Sequence, residues 1–150
     1  MYMTLRPLFA WALLAYAGAE LFFIATNWWL PGSGGNLFER SLRVDTTTLT
    51  TVGLPILALL LTAWVKPALA MAKTVALVAL AEYLIILLFG GLTFALGLAQ
   101  LFDVAHGPEG ALAIFSHVVF AFLGFAIAAM CALVCWRYYS SREDFTSAAP

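Results

Sequence analysis

Residues 74–101 read TVALVALAEYLIILLFGGLTFALGLAQL, an apolar stretch interrupted by a single charged side chain, Glu82. A helix rises about 1.5 Å per residue, so a helix of this length exceeds the roughly 30 Å of hydrocarbon in a bilayer. The stretch therefore predicts a transmembrane helix with one carboxyl group inside it.

Three further apolar stretches, at about 8–29, 47–65 and 111–136, bring the predicted number of spans to four. The composition agrees, because 64% of the residues are hydrophobic and 10% are charged, against roughly 25% charged residues in soluble domains. A chain of 150 residues holds four spans and short connections, which predicts a single transmembrane domain over 1–150. We therefore expect an all-α membrane protein, an antiparallel four-helix transmembrane bundle whose surroundings are the lipid bilayer.

The first span competes with a signal peptide. Pro7 suits the start of a helix, and the glycine-rich residues 31–35 end it. Ala15-Tyr16-Ala17 resembles an A-x-A cleavage site, but the apolar run continues through residues 21–24. That continuation favours a retained span.

The second span is the shortest. Its continuous apolar core covers 52–65, and it reaches the length of a span only if the threonine-rich residues 46–51 join the helix. Asp45 is a candidate N-cap for that longer helix, and Pro55 is expected to bend it. A re-entrant or tilted segment stays open as an alternative.

The loops predict the orientation. Basic residues are more frequent on the side that carries the termini, which places both termini in the cytoplasm of a multi-pass protein of the plasma membrane; these residues are Arg6, Lys66, Lys73, Arg137 and Arg142. Residues 31–51 become an external loop. Its stretch 37–44 mixes apolar and charged residues and favours a short interfacial helix over a binding lid.

Ionisable groups inside a membrane are the main functional clue, because each costs at least roughly 2.5–3.5 kcal/mol on insertion scales. Such groups face a polar partner, a protein interior or a water-filled path. The candidate intramembrane polar site consists of Glu20, Glu82, His117, Tyr16, Asn27 and Thr93.

Helical spacing groups these residues on faces. Tyr16, Glu20 and Asn27 share a face of the first span, which we expect to turn inward. In the third span Glu82 and Thr93 share a face with two glycines, Gly90 and Gly97, whose lack of a side chain lets a neighbouring backbone approach closely.

In the fourth span His117 begins a seam of small residues that continues through Gly124, Ala128, Cys131 and Cys135. Counting residues from the two ends puts His117 and Glu20 at similar depths. A hydrogen bond or ion pair between them is therefore possible, with Glu82 about one turn nearer the cytoplasm. The sequence leaves open whether the carboxylates are functional or only fix the helix register.

Reactive chemistry has little support. His117 lacks a second ligand in the membrane, so we expect no haem, no metal and no other cofactor. Cys131 and Cys135 are four residues apart near the cytoplasmic end and are expected to be packing residues. Residues 103–110 hold Asp103, His106 and Glu109, but Gly107-Pro108 favours an ordinary turn over a cation site.

Hydrolase, zinc-peptidase and phosphate-loop motifs are absent, and the net charge of -1 without a basic block argues against nucleic acid. We therefore expect a small non-enzymatic integral membrane protein that acts as an accessory, assembly or interaction subunit of a larger membrane complex. The alternative is a proton- or cation-coupled transporter or channel for a small solute, which works as a homo-oligomer through its intramembrane carboxylates.

Overall fold

The structure is a computed structural model that describes residues 2–30, 35–65 and 70–141. Every regular element among these residues is an α-helix. In chain order they are α1 (Tyr2–Trp29), α2 (Leu37–Leu42), α3 (Leu49–Ala63), α4 (Ala72–Val104) and α5 (Gly107–Ser141). The chain is therefore all-helical where it is described, as the sequence predicts.

Three of these helices are long and apolar enough to cross a membrane: α1 over Leu5–Trp29, α4 over its whole length, and α5 over Gly107–Ser140. They correspond to the first, third and fourth predicted spans. Each extends beyond its predicted bounds, and Pro7 lies inside α1. A proline so close to a helix start removes a single backbone hydrogen bond, which explains why the helix continues through it.

The second apolar segment differs from the prediction. Its helix, α3, has 15 residues and is about 22 Å long, which is shorter than the hydrocarbon core. The predicted N-cap, Asp45, is wrong: Thr48 caps α3 and accepts a hydrogen bond from the Thr51 backbone N–H at 3.1 Å. Asp45 instead accepts from the Thr47 backbone N–H at 2.9 Å, a local turn that keeps the chain out of the helix.

Residues 43–48, which we call the lead-in segment, connect α2 to α3; Arg43 and Asp45 are exposed, and Thr46 is buried. Thr46, only 4% exposed, lies beside Gly90 of α4, and Thr47 lies beside Gly124 of α5. Both glycines are near the middle of their helices. The second half of the segment is therefore packed against α4 and α5, and it ends where α3 begins, about halfway along these two helices.

The helix predicted within 37–44 is present as α2, capped by Asn36 and Glu39 in a capping box. It packs into the molecule at Ser41, which is 2% exposed and accepts a hydrogen bond from Trp28 Nε1 at 2.9 Å. Gly97 makes this packing possible, because a Cβ there would lie 3.2 Å from the backbone of α2 at Ser41 and Leu42. The part of the predicted external loop that forms α2 therefore packs against α1 and α4.

The core lies where α1, α3 and α4 meet. Tyr83 of α4 is fully buried and donates a hydrogen bond to the Val52 carbonyl at 2.6 Å. Arg6, near the start of α1, donates to the Leu61 and Val65 carbonyls at the end of α3, both at 2.6 Å. The α5 helix joins the core through Ala128 and Cys135. Cys135 therefore has the packing role that the sequence predicts.

Candidate functional site

Glu82 is held on α4 at the packing surface with α1. It is 7% exposed, and its Oε1 lies so close to Gly18 that a Cβ at that position would be 3.2 Å away. Its Oε2 is buried and has no hydrogen-bond partner among the described residues. The predicted face is confirmed: Gly90, Thr93 and Gly97 are buried along with Glu82.

Glu20 occupies a different environment on α1. Glu20 and Gly18 are two residues apart and therefore project from nearly opposite sides of the helix. Its Oε1 accepts a hydrogen bond from Thr48 Oγ1 at 3.3 Å, at the N-terminus of α3, where the helix dipole favours a negative charge. One carboxyl group is thus hydrogen-bonded at a helix end, and the other is enclosed without a partner.

Threonine hydroxyls form a connected group beside Glu20. Thr48 Oγ1 lies 2.8 Å from Thr50 Oγ1 and 3.0 Å from Thr51 Oγ1. Thr51 in turn donates to the Thr46 carbonyl at 2.7 Å. The hydroxyls satisfy backbone groups that the short helix and the extended segment leave open, which is how a helix break is tolerated inside a protein.

The inward turn expected for Tyr16 and Asn27 is wrong. Tyr16 is 60% exposed and Asn27 is exposed as well, and with Glu20 they line a shallow cavity of about 310 Å³. The side of α1 that packs inward carries Leu14, Ala17 and Leu21 instead. Small and aliphatic side chains fit closely against α3 and α4 there, and the polar side chains therefore stay outside.

His117 and Thr93 line a cavity of about 680 Å³, which we call the aromatic cavity because Phe94, Phe120 and Phe125 also line it. The His117 ring stacks on Phe94 with 5.3 Å between centroids, and its Nε2 is buried without a partner among the described residues. Thr93 donates to the Phe89 and Gly90 carbonyls, both at 3.1 Å.

The contact between Glu20 and His117 that the sequence left open is not formed, because the lead-in segment lies between these residues. Thr47 faces Gly124 of α5 and Thr48 faces Glu20 of α1. Glu20 lines a separate cavity of about 400 Å³. Residues 43–45 line both this cavity and the aromatic cavity, so they form the wall between the two.

The cavity of about 400 Å³ is also lined by residues of the predicted loop over 31–51. We call it the charged cavity, because four of its lining side chains are ionisable: Glu20, Arg40, Arg43 and Asp45. Arg40 Nη1 donates to the Trp28 and Leu30 carbonyls at the end of α1, both at 2.9 Å. The signal for this site was the concentration of charged and threonine residues at 43–51, immediately before the shortest apolar core.

Metal ligation has no support among residues 2–30, 35–65 and 70–141, since no three His, Cys, Asp or Glu side chains come together there. The segment with Asp103, His106 and Glu109 joins α4 directly to α5 and contains Gly107 at φ +71°. That backbone conformation explains the glycine and agrees with the predicted turn.

Comparison with known proteins found no match: no protein-family profile, no curated protein sequence and no solved structure matches the chain.

Proposed function

We propose that the protein carries a small solute across the cytoplasmic membrane in exchange for, or together with, a proton. In this proposal α1, the lead-in segment with α3, α4 and α5 form an antiparallel four-helix bundle with both termini in the cytoplasm, and a homo-oligomer supplies further walls to the path. The contact of Arg6 with the end of α3 supports the antiparallel arrangement of α1 and α3.

One observation carries the proposal: the second apolar helix, α3, begins only near the middle of α4 and α5, after the non-helical residues 43–48, and polar groups gather at its start. Non-helical backbone at membrane depth is tolerated where it is buried in protein or lines a water-filled cavity. Membrane carriers bind their substrates at such interruptions, because a free helix end and open backbone groups are available there. The lead-in segment has cavities on two of its sides.

The two carboxyl groups take different roles in this mechanism. Glu82 has no charged or hydrogen-bonding partner within the described residues, and an ionised carboxylate in such surroundings is costly. We assign it the transferred proton. Glu20, hydrogen-bonded to Thr48 at the start of α3, is assigned to the solute side, since it lines the cavity of about 400 Å³.

The test uses the purified chain in vesicles that contain a trapped pH-sensitive dye. Pooled amino acids, amines, organic acids and sugars are added outside, one class at a time. We expect one class to move protons in vesicles with the wild-type protein, and we expect Glu82→Gln to abolish this movement, because an amide cannot release a proton. Glu109→Gln is the matched control, since Glu109 is exposed in the first turn of α5.

Two results contradict the proposal. If vesicles with the Glu82→Gln variant retain solute-driven proton movement, Glu82 does not carry the transferred proton and its role is structural. If no class of solute moves protons in vesicles with the wild-type protein, proton-coupled transport is contradicted.

A non-enzymatic accessory subunit of a larger membrane complex is the second candidate. It is favoured by α5, which exposes a row of large apolar side chains that a partner helix could cover in place of lipid; these are Leu112, Phe115, Phe120, Phe122 and Leu123. Purification from native membranes in a mild detergent distinguishes the candidates, because an accessory subunit brings a different protein in fixed stoichiometry and a carrier does not.

A further inference from the structure

The charged cavity contains charges of both signs that do not neutralise one another. Arg40 and Arg43 contribute guanidinium groups, and Glu20 and Asp45 contribute carboxylates. None of the four forms an ion pair within the part of the chain that the structure describes. Two positive and two negative groups thus surround one space of about 400 Å³.

The hydrogen bonds of these groups leave capacity for a ligand. Arg40 uses Nη1 for the end of α1, and its Nε is buried without a partner among the described residues. Glu20 uses Oε1 for Thr48, while its Oε2 is buried without such a partner. Buried charged groups are ordinarily paired or hydrogen-bonded, because leaving them unpaired costs several kcal/mol.

The balance of charge selects the class of ligand. An anion alone would pair with the guanidinium groups and approach Glu20 and Asp45 unfavourably, and an amine alone would meet the opposite problem with Arg40 and Arg43. A solute with one anionic and one ammonium group can satisfy both signs at once. It also brings no net charge to the buried Oε2 of Glu20 and Nε of Arg40.

The remaining walls indicate the shape of the solute. Ile24, Val44 and Trp28 supply apolar surface, and Trp28 is fixed in place by its hydrogen bond to Ser41. Small-molecule sites typically enclose about 300–1,000 Å³ and combine apolar walls with a few polar groups. The volume of the charged cavity falls in this range, and its three apolar side chains among mostly polar ones suit a ligand with a compact apolar part.

We infer that the charged cavity binds a small zwitterion of the amino-acid type, with its anionic group at Arg43 and Arg40 and its ammonium group at Glu20 and Asp45. As the identity of the carried solute, this inference rests on the proposed transport function. As a binding site it can be tested separately.

The experiment measures binding to the purified protein in detergent, by thermal shift and by isothermal titration. The zwitterionic probes are glycine, leucine, phenylalanine and γ-aminobutyrate. Isoamylamine and 4-methylpentanoate are leucine without its carboxylate and without its ammonium group. We expect at least one zwitterion to bind, and both leucine analogues to bind at least roughly tenfold more weakly than leucine or not at all.

Variants assign the binding to this cavity. Arg43→Gln and Glu20→Gln are expected to weaken zwitterion binding roughly tenfold or more, and Arg43→Lys is expected to retain more affinity because it keeps the charge. Arg137→Gln and Glu109→Gln are the matched controls, since both residues are exposed on α5 and away from the cavity. Folding of each variant is checked by its elution profile and unfolding temperature.

Each result is decisive. Absence of binding by every zwitterion in the panel, equal binding of a singly charged analogue, or undiminished binding by folded Arg43→Gln and Glu20→Gln variants overturns the inference. Zwitterion binding that Arg137→Gln and Glu109→Gln preserve, and that the two cavity variants weaken, supports it. Binding without solute-driven proton movement contradicts only the transport proposal, and Glu82-dependent proton movement without zwitterion binding contradicts only the choice of ligand.

Discussion

Two glycines of α4 illustrate how differently the same residue can act along one helix. Gly97 faces the α2 backbone, where a Cβ would lie 3.2 Å from Leu42 N and from the Ser41 carbonyl carbon, whereas Gly91 has no heavy atom within 4 Å of such a Cβ. Only Gly97 is needed for close packing. At Gly91 the absence of a side chain costs helix stability without a compensating contact.

We predict that Gly97→Ala lowers the unfolding temperature in detergent, although alanine is the better helix former. The backbone of α2 must move away, and Trp28 loses its optimal distance to Ser41. Gly91→Ala, the matched control on the same helix, should be neutral or stabilising by up to about 1 kcal/mol. Thermal unfolding followed by tryptophan fluorescence compares the two, and equal stabilisation by both substitutions would contradict the close packing of α2 on α4.

Residue spacing predicted part of the site correctly. The period of the helix placed Glu82, Thr93 and the two glycines on one buried face of α4. The same reasoning failed for Tyr16 and Asn27, because a polar stripe identifies a shared face without saying which neighbour covers it. Leu14, Ala17 and Leu21 fit the adjacent helices better, and their packing determined the rotation of α1.

At the scale of the element, α3 depends on a cap that also serves the site. Thr48 accepts from the Thr51 backbone N–H and donates to Glu20. Pro55, four residues after Thr51, has no N–H to donate to the carbonyl of Thr51, so this short helix lacks one interior hydrogen bond. The hydrogen bond from the Thr51 N–H to the Thr48 hydroxyl is therefore important for the stability of the first turn of α3.

We predict that Thr48→Ala destabilises the protein by about 1 kcal/mol, the usual cost of losing an N-cap, and also weakens zwitterion binding because Glu20 loses its hydroxyl partner. Thr48→Ser should preserve both properties, since it keeps the hydroxyl. Thr26→Ala is a control for the loss of a threonine hydroxyl, because Thr26 only bonds back to the Phe22 carbonyl of its own helix. Chemical or thermal unfolding and titration calorimetry measure the two effects, and a Thr48→Ala variant as stable as Thr26→Ala would contradict the capping role.

The second apolar segment could not be predicted in full for a physical reason. Hydropathy reports how favourably residues 52–65 leave water, but it does not say whether residues 43–48 continue the helix. Threonine and aspartate side chains compete with the backbone for hydrogen bonds, so a run of them suits a cap or a turn as well as a helix in a membrane. Residues 44–48 are non-helical in the structure, where Thr46 packs against Gly90 and Thr47 against Gly124. These contacts are distant in sequence and could not be predicted from the local pattern.

At the scale of the whole molecule, charge asymmetry and helix order predict a topology that can be measured. The connection between α4 and α5 should lie outside the cytoplasm, and the end of α5 should lie inside it. Alkaline phosphatase fused after His106 is expected to be active in cells and inactive when fused after Ser141, and a green fluorescent protein fusion is expected to show the reverse. The opposite pattern at both positions would show that the proposed orientation is inverted. Equal signals at both positions would show that α5 does not cross the membrane.

The lead-in segment has a consequence for the order of events during synthesis. Its backbone enters the interior against Gly90 and Gly124, which belong to helices that the ribosome makes later. Hydrogen bonds with residues 40–52 already satisfy several backbone groups of this segment, but Thr46 and Thr47 have no packing partner until α4 and α5 are made. The segment before α3 can therefore reach its final packing only after the chain has been made as far as Gly124.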